Sequence, residues 1–142
     1  MTQTEDWGCT IGDGITWRTL SKAEWQYLIK KGKYKYPVKV CEKTNCLVLV
    51  SDDFEGTISG EYDAAAWATA EAAGLVCLPA AGRRSISNVY GVGDGFYWSS
   101  SADDDDESSA CAVYFNSFMG VYHDWIGGRY TGCSVRLVTE CQ

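Results

Sequence analysis

Apolar positions along the chain change their period twice, and each change predicts a different element. In Leu20-Ser21-Lys22-Ala23-Glu24-Trp25 the S-x-x-E capping box of Ser21 and Glu24 is flanked by Leu20 and Trp25 at the two staple positions. Trp25, Leu28 and Ile29 then recur at helical spacing until Gly32, which predicts a helix over about 22–31. Period two follows. Tyr36 to Cys41 alternates, and Leu47 to Val50 is a short buried run closed by Ser51-Asp52-Asp53. Phe54 to Gly60 reads as loop. EYDAAAWATAEAA predicts a second helix over about 61–73, with Tyr62, Ala65, Ala66, Trp67, Ala70 and Ala73 as its apolar stripe and Gly74 as its stop. Leu75 to Leu78 reads as a strand ended by Pro79.

Beyond Gly82 the pattern breaks up. Gly91, Gly93 and Gly95 interrupt the chain before Phe96 to Ser99. Ala112 to Phe115 reads as a strand, 116–128 as a long irregular segment, and Ser134 to Val138 as a last strand. Helix, strands, helix, strand and then a loop-rich β half make an α+β chain, without the alternation of a βαβ fold.

The chain has 142 residues, 46% of them apolar, enough for one domain with one core. No apolar run approaches the roughly 20 residues of a membrane helix. MTQTEDWGCT lacks the basic and apolar regions of a signal peptide, so the chain stays where it is made or is cut from something longer. The net charge of −7 is unevenly placed. Residues 1–43 carry eight basic and five acidic side chains, including every Lys; residues 44–142 carry four Arg against fourteen acids. An acidic C-terminal two-thirds argues against binding to a phosphate backbone, which needs clustered cations. The lysines around YKYPVKV read as a solvated strand face.

Seven Cys, an odd number, cannot all pair within one chain. Cys77 reads as a buried small hydrophobe. Cys41 and Cys46 bracket a four-residue turn and either bridge it as a disulfide or stay as thiols. Structural zinc wants two close Cys/His pairs, and the single His, His123, is far from any. The motifs of serine hydrolases, zinc proteases, P-loops and dinucleotide folds are missing. Gly91-x-Gly93-x-Gly95 has no helix or Lys after it and reads as a turn. The acid run Asp103 to Glu107 lacks the alternate spacing that aims carboxylates at Ca²⁺ and reads as a solvated loop. No catalytic residue, cofactor or metal is expected.

Aromatics carry more information. Ten of them fall within residues 88–130. Trp98 and Phe115 are the expected core members. The others stand among Gly, Ser, Asn and Asp, which is the composition of an adaptable binding surface: rigid amphipathic rings with small hydrogen-bonding neighbours. Ordinary satellite clusters under a loopy half are the alternative.

At this point the motifs resemble a large family of gut bacteria and their phages. Trp17-Arg18-Thr19-Leu20-Ser21 before Glu24-Trp25-x-Tyr27-Leu28 is similar to its "WRTLT…EWxYL" opening. Leu47 to Phe54 resembles "LILLPDDW", with Ser51 in place of Pro. Trp67 to Arg84 resembles "W…EAAGxVFLPAAGYR", Tyr97 to Ser101 "YWSSS/T", and Arg129 to Val138 "RxxGxSVRLV". The likeness runs in order over nearly the whole chain. It implies a C-type lectin fold, in the branch related to formylglycine-generating enzymes, with two helices on a small mixed or antiparallel sheet. It further implies a variable protein of a diversity-generating retroelement, in which adenine-directed mutagenesis exchanges surface side chains on a fixed scaffold. One domain over 1–142 is expected, its scaffold about 1–98 and 134–142 and its variable region about 88–133.

On this reading the candidate ligand-binding residues are Asn88, Tyr90, Asp94, Phe96, Asp103, Asp104, Asp105, Asp106, Tyr114, Asn116, Phe118, Tyr122, His123, Asp124, Trp125, Tyr130 and Cys133. Tyr122, Trp125, Tyr90 and Tyr114 would form an aromatic centre with Asp124 and Asp103–Asp106 around it. Most of these types arise from an Asn codon by changing its adenines; Trp125, Met119 and Glu107 do not and would be fixed. Arg129 and Arg136 read as braces, Arg83 and Arg84 as braces or ligand contacts. The implied partner is a variant-specific protein or cell-surface ligand with a basic or hydrogen-bond-donating patch, bound on a phage virion or a cell surface, with neither nucleic acid nor membrane insertion involved. Glu-Pro-Asn, Gln-Pro-Asp and Trp-Asn-Asp, the Ca²⁺-dependent sugar tripeptides of this fold, do not occur. A fixed adhesin of the same fold is the alternative, and an oxidase using Cys111, Cys133 or Cys141 a more distant one.

Overall fold

The computed structural model describes residue 12 and residues 14–140. It begins with β1 (Arg18–Thr19) and α1 (Lys22–Lys30). The capping box forms as the sequence predicts: Ser21 Oγ accepts from the Glu24 N–H and the Glu24 carboxylate accepts from the Ser21 N–H. Arg18 adds a clamp, donating to both Glu24 oxygens at 2.8 and 2.7 Å and to Glu140. It thereby holds the start of α1, and β1 pairs with β11 (Leu137–Val138) next to it.

β2 (Tyr34–Val40) and β3 (Lys43–Leu49) form a hairpin. Val40 faces Lys43, so the turn is the two residues Cys41 and Glu42 and not four residues between cysteines. Cys41 takes φ 54° there and is exposed, whereas Cys46 faces Val38 and is buried. The two therefore do not meet across the hairpin, and both are free thiols. The second helix starts later than its alanines suggest. Glu61 and Tyr62 form β4, parallel to β2, because Asp63 is the better N-cap; its carboxylate accepts from the Ala66 N–H at 2.7 Å and opens α2 (Ala64–Ala72). Of the expected stripe, Tyr62, Trp67 and Ala70 are covered, while Ala65, Ala66 and Ala73 are exposed. β5 (Val76–Leu78) completes a mixed sheet in the order β4-β2-β3-β5.

The C-terminal half is not loop-rich. After a small hairpin of β6 (Arg83–Ser85) and β7 (Asn88–Tyr90), three long strands form an antiparallel meander: β8 (Gly95–Ala102), β9 (Ser109–Asn116) and β10 (Gly120–Gly128). The segment expected to be irregular is thus a nine-residue strand. Two physical features hid it. Its glycine Gly127 makes room for a ring, since a Cβ there would run into the Trp125 indole. A bulge between Tyr122 and Trp125 also breaks the alternation, since β10 spends three steps where β9 spends two. The last strand is shorter than expected. Ser134 makes a single parallel bridge to Tyr97, and only Leu137–Val138 pair as β11.

β3 is buried on both faces and divides the core. Leu47 and Leu49 join Trp25 and Ile29 of α1 and Tyr97, Val113 and Phe115 of the meander. Cys46, Val48 and Val50 join Val38, Val40, Tyr62, Ala70 and Leu75 on the α2 side. An α+β architecture of two helices and two main sheets follows. Among the described residues no helix is long and apolar enough to cross a membrane.

Candidate functional site

The meander has an inner face in the core and an outer face made almost wholly of rings. Strand register decides which residues share it, because side chains alternate and paired residues point the same way. Phe96 pairs with Tyr114 and Tyr114 with Tyr122, one row across three strands. Trp98 pairs with Ala112 and Ala112 with Trp125, the next row. The extra residue of the bulge restores Trp125 to the side of Tyr122. The rings are in contact: Phe96 stacks on Tyr114 at 4.7 Å, Trp125 meets Phe96 edge-on at 5.2 Å, Tyr114 stacks on Tyr122 at 6.4 Å, and Trp98 lies 6.3 Å from Trp125. Ala112, fully covered, is the low floor between the two indoles.

Polar groups border this surface. The Arg83 guanidinium lies over Phe96 at 5.2 Å and over Trp125 at 5.6 Å. The Tyr114 hydroxyl donates to Asp94 Oδ2 at 3.4 Å. Asp124 stands exposed in the bulge, and His123 beside it is half-buried with no protein partner at Nδ1. Between Arg84 and Arg129 the sequence holds seven acids and neither Lys nor Arg; Asp94 and Asp124 stand by the rings, and Asp103 to Glu107 stand in the β8–β9 connection.

The expected ligand-binding residues divide by position. Phe96, Tyr114, Tyr122 and Trp125 come together, with Asp94 at their edge. Phe96 is only 6% exposed and serves as the platform's floor, whereas Tyr122 is 37% exposed. Trp98 was expected in the core and lies instead, half-buried, on the outer face. Arg83 joins the same face. Sequence parity contained that signal: Phe96 and Trp98 alternate with Tyr97 and Ser99, which point inwards. Phe115 is fully buried as expected.

Asn116 is buried and occupied. Its Oδ1 accepts from the Phe118 and Met119 N–H groups at 3.0 and 2.7 Å, and its Nδ2 donates to the Tyr114 hydroxyl. It builds the β9–β10 turn, which lifts Phe118 to 97% exposure. Asp103–Asp106 lie in the β8–β9 connection, at the other end of the meander from Phe118. Asp106 organises that turn, accepting from Ser108 N–H, Ser108 Oγ and Ser109 Oγ, and these bonds lower its pKa. Tyr130 is 83% exposed, its ring packed over Gly128. Tyr90 and Asn88 are exposed on β7, with Asn88 Nδ2 donating to the Tyr90 hydroxyl. Cys133 is half-buried, and burial pushes its thiol up to about 11.

Serines hold the platform to the scaffold. Ser99 Oγ donates to the Cys111 carbonyl at 2.7 Å and accepts from the Ser101 N–H. Ser101 Oγ accepts from the Lys22 N–H, and the Ser100 N–H donates to the Leu20 carbonyl, tying β8 to the start of α1. Ser134 brackets Tyr97, its N–H donating to the Phe96 carbonyl and its own carbonyl accepting from Trp98. Among the described residues no group of three or more His, Cys, Asp or Glu is placed to hold a metal ion. No family model, curated protein or solved structure matches the chain.

Proposed function

We propose that this chain is a ligand-binding domain of the C-type lectin fold, that it grips its partner with the outer aromatic face of the β8–β9–β10 meander, and that a retroelement exchanges side chains on that face. One observation carries the reading: two rows of contacting rings lie on the side of the meander turned away from the core. Tyr and Trp there offer large contact area at little cost in side-chain entropy. The motifs behind the family resemblance support it by what they do locally. Arg18, Ser21 and Glu24 clamp α1, Ser99 to Ser101 pin β8, and Ser134 locks Tyr97. A scaffold pinned this way lets an outward side chain change at a cost under about 0.5 kcal/mol.

The two tryptophans cannot arise from an Asn codon by adenine changes, whereas Tyr114, Tyr122, His123 and Asp124 can. The proposed surface therefore has a fixed indole pair framed by exchangeable side chains. Its partner is a variant-specific protein or other cell-surface ligand, met on a phage virion or a cell envelope, and no catalysis is assigned to it. A fixed adhesin of the same fold is favoured by one observation, the occupied Asn116, which leaves that position no freedom to vary. Sequencing the gene and its surroundings tests the proposal. A nearby reverse transcriptase with a template repeat differing at adenines in the codons of Tyr122, His123 and Asp124 is the expected result. Neither gene nor repeat nearby would leave the fixed adhesin.

A further inference from the structure

On the α2 side of the four-stranded sheet, away from the aromatic rows, two cysteines stand side by side. β3 and β5 pair with Val48 opposite Cys77 and Leu47 opposite Leu78. Alternation puts Cys46, Val48 and Cys77 on one face, with Cys46 on the diagonal from Cys77. The two thiols are free and close enough for each to shift the other's ionisation, and the Cys46 Sγ also donates to the Lys43 carbonyl at 3.5 Å. Cys46 is fully buried, while Cys77 is half-buried and borders a cavity of about 580 Å³. Trp67 and Leu75 supply apolar wall, Lys43 and Arg136 bring two cations to it, and Glu71 brings one carboxylate. None of the candidate ligand-binding residues lines this cavity.

We propose that Cys46 and Cys77 are an oxidisable dithiol, and that a peroxide entering the cavity converts them to a disulfide joining β3 to β5. The thiolate is the reactive form of a cysteine. The two sulfurs act on each other in opposite directions, Cys77 holding the Cys46 thiol below the ordinary thiol range and Cys46 pushing Cys77 up. The sulfur that faces the cavity is that of Cys77, where Lys43 and Arg136 favour the thiolate against burial and the neighbouring Cys46. The thiolate sulfur attacks hydrogen peroxide, breaks the O–O bond and releases hydroxide, leaving a sulfenic acid. The neighbouring thiol then attacks the sulfenic sulfur, its proton leaves with the departing oxygen as water, and the S–S bond forms. Two electrons pass from the sulfurs to the peroxide, and no further reactant is needed. Cys41 borders the same cavity but sits exposed in the β2–β3 turn, outside the strand ladder that aligns the pair.

Mass spectrometry on the folded full chain tests this. Protein is treated with hydrogen peroxide or with dithiothreitol, the remaining thiols are alkylated, and the digests are compared. The expected product is a Cys46–Cys77 linked peptide that dithiothreitol returns to two alkylated peptides. Cys41→Ser gives the same link, and linkage is faster at higher pH, where more thiolate is present. Recovery of Cys46 and Cys77 both alkylated after peroxide would overturn the proposal. So would a link from Cys77 to Cys41, Cys9 or Cys141, or a Cys77 sulfinic acid with Cys46 unchanged.

Discussion

Glu24 shows how one side chain serves two purposes. It closes the capping box of α1 and receives both Arg18 nitrogens, and the Arg18 hydrogen bonds hold its carboxyl down at about 2. A carboxyl depressed in the folded state contributes stability above its ordinary pKa and loses it as pH falls towards the folded value. Glu24→Gln is therefore expected to lower the urea midpoint at pH 7, with the gap to the unmodified protein closing between about 4.5 and 2. An equal gap at pH 7 and pH 2 would show that Glu24 acts by packing and not by charge. Gly95 illustrates a different constraint. A Cβ there would run into the Phe115 ring, which is fully buried against Tyr36 and Tyr97, so Gly95→Ala is expected to cost about 1–3 kcal/mol in denaturant unfolding. A cost near zero would mean the ring can move aside.

Among the elements, the β9–β10 hairpin separates architecture from display. Asn116 satisfies two backbone N–H groups that otherwise lack partners at the turn. Asn116→Ala is expected to destabilise by about 1–3 kcal/mol, the usual cost of stranded polar groups. Phe118→Ser, two residues on, is expected to stay within about 0.5 kcal/mol, because the ring is in solvent. Thermal or urea unfolding of the two variants checks both, and equal effects would remove the distinction. The same hairpin shows what was legible in the sequence. α1 could be read because Ser21, Glu24 and Gly32 act within a few residues of themselves. β10 could not, because its glycine makes room for the Trp125 ring and its bulge offsets the aromatic spacing. The approach of Cys46 to Cys77 depends on β3 meeting β5 across 26 intervening residues that include α2. Local pattern carries no information about such a contact. The ring rows were half visible: the aromatic excess pointed to residues 88–130, but register, a tertiary property, decides that Trp98 joins the face, and its bonds to the turn take Asn116 out of it.

For the whole molecule, charge is the remaining lever. The basic side chains are concentrated before residue 44, and between Arg84 and Arg129 there are seven acids with no Lys or Arg. A ligand captured on the meander is expected to associate more slowly as salt rises from 50 to 500 mM, because exposed acids steer cationic or hydrogen-bond-donating partners and salt screens them. An association rate indifferent to salt would mean that the rings alone recruit the partner. The layered core has a consequence of its own. The Leu47 face of β3 supports the meander through Tyr97, Val113 and Phe115, so exchange on the outer face leaves the packing beneath it untouched. That separation is the physical basis of the claim that this domain varies its grip while keeping its fold.

The most direct test of that claim is a substitution map from sibling copies of the gene. Changes are expected at Tyr114, Tyr122, His123 and Asp124, with Trp98, Ala112, Val113, Phe115, Asn116 and Trp125 constant. Substitutions spread evenly over buried and outward positions of β8, β9 and β10 would contradict it.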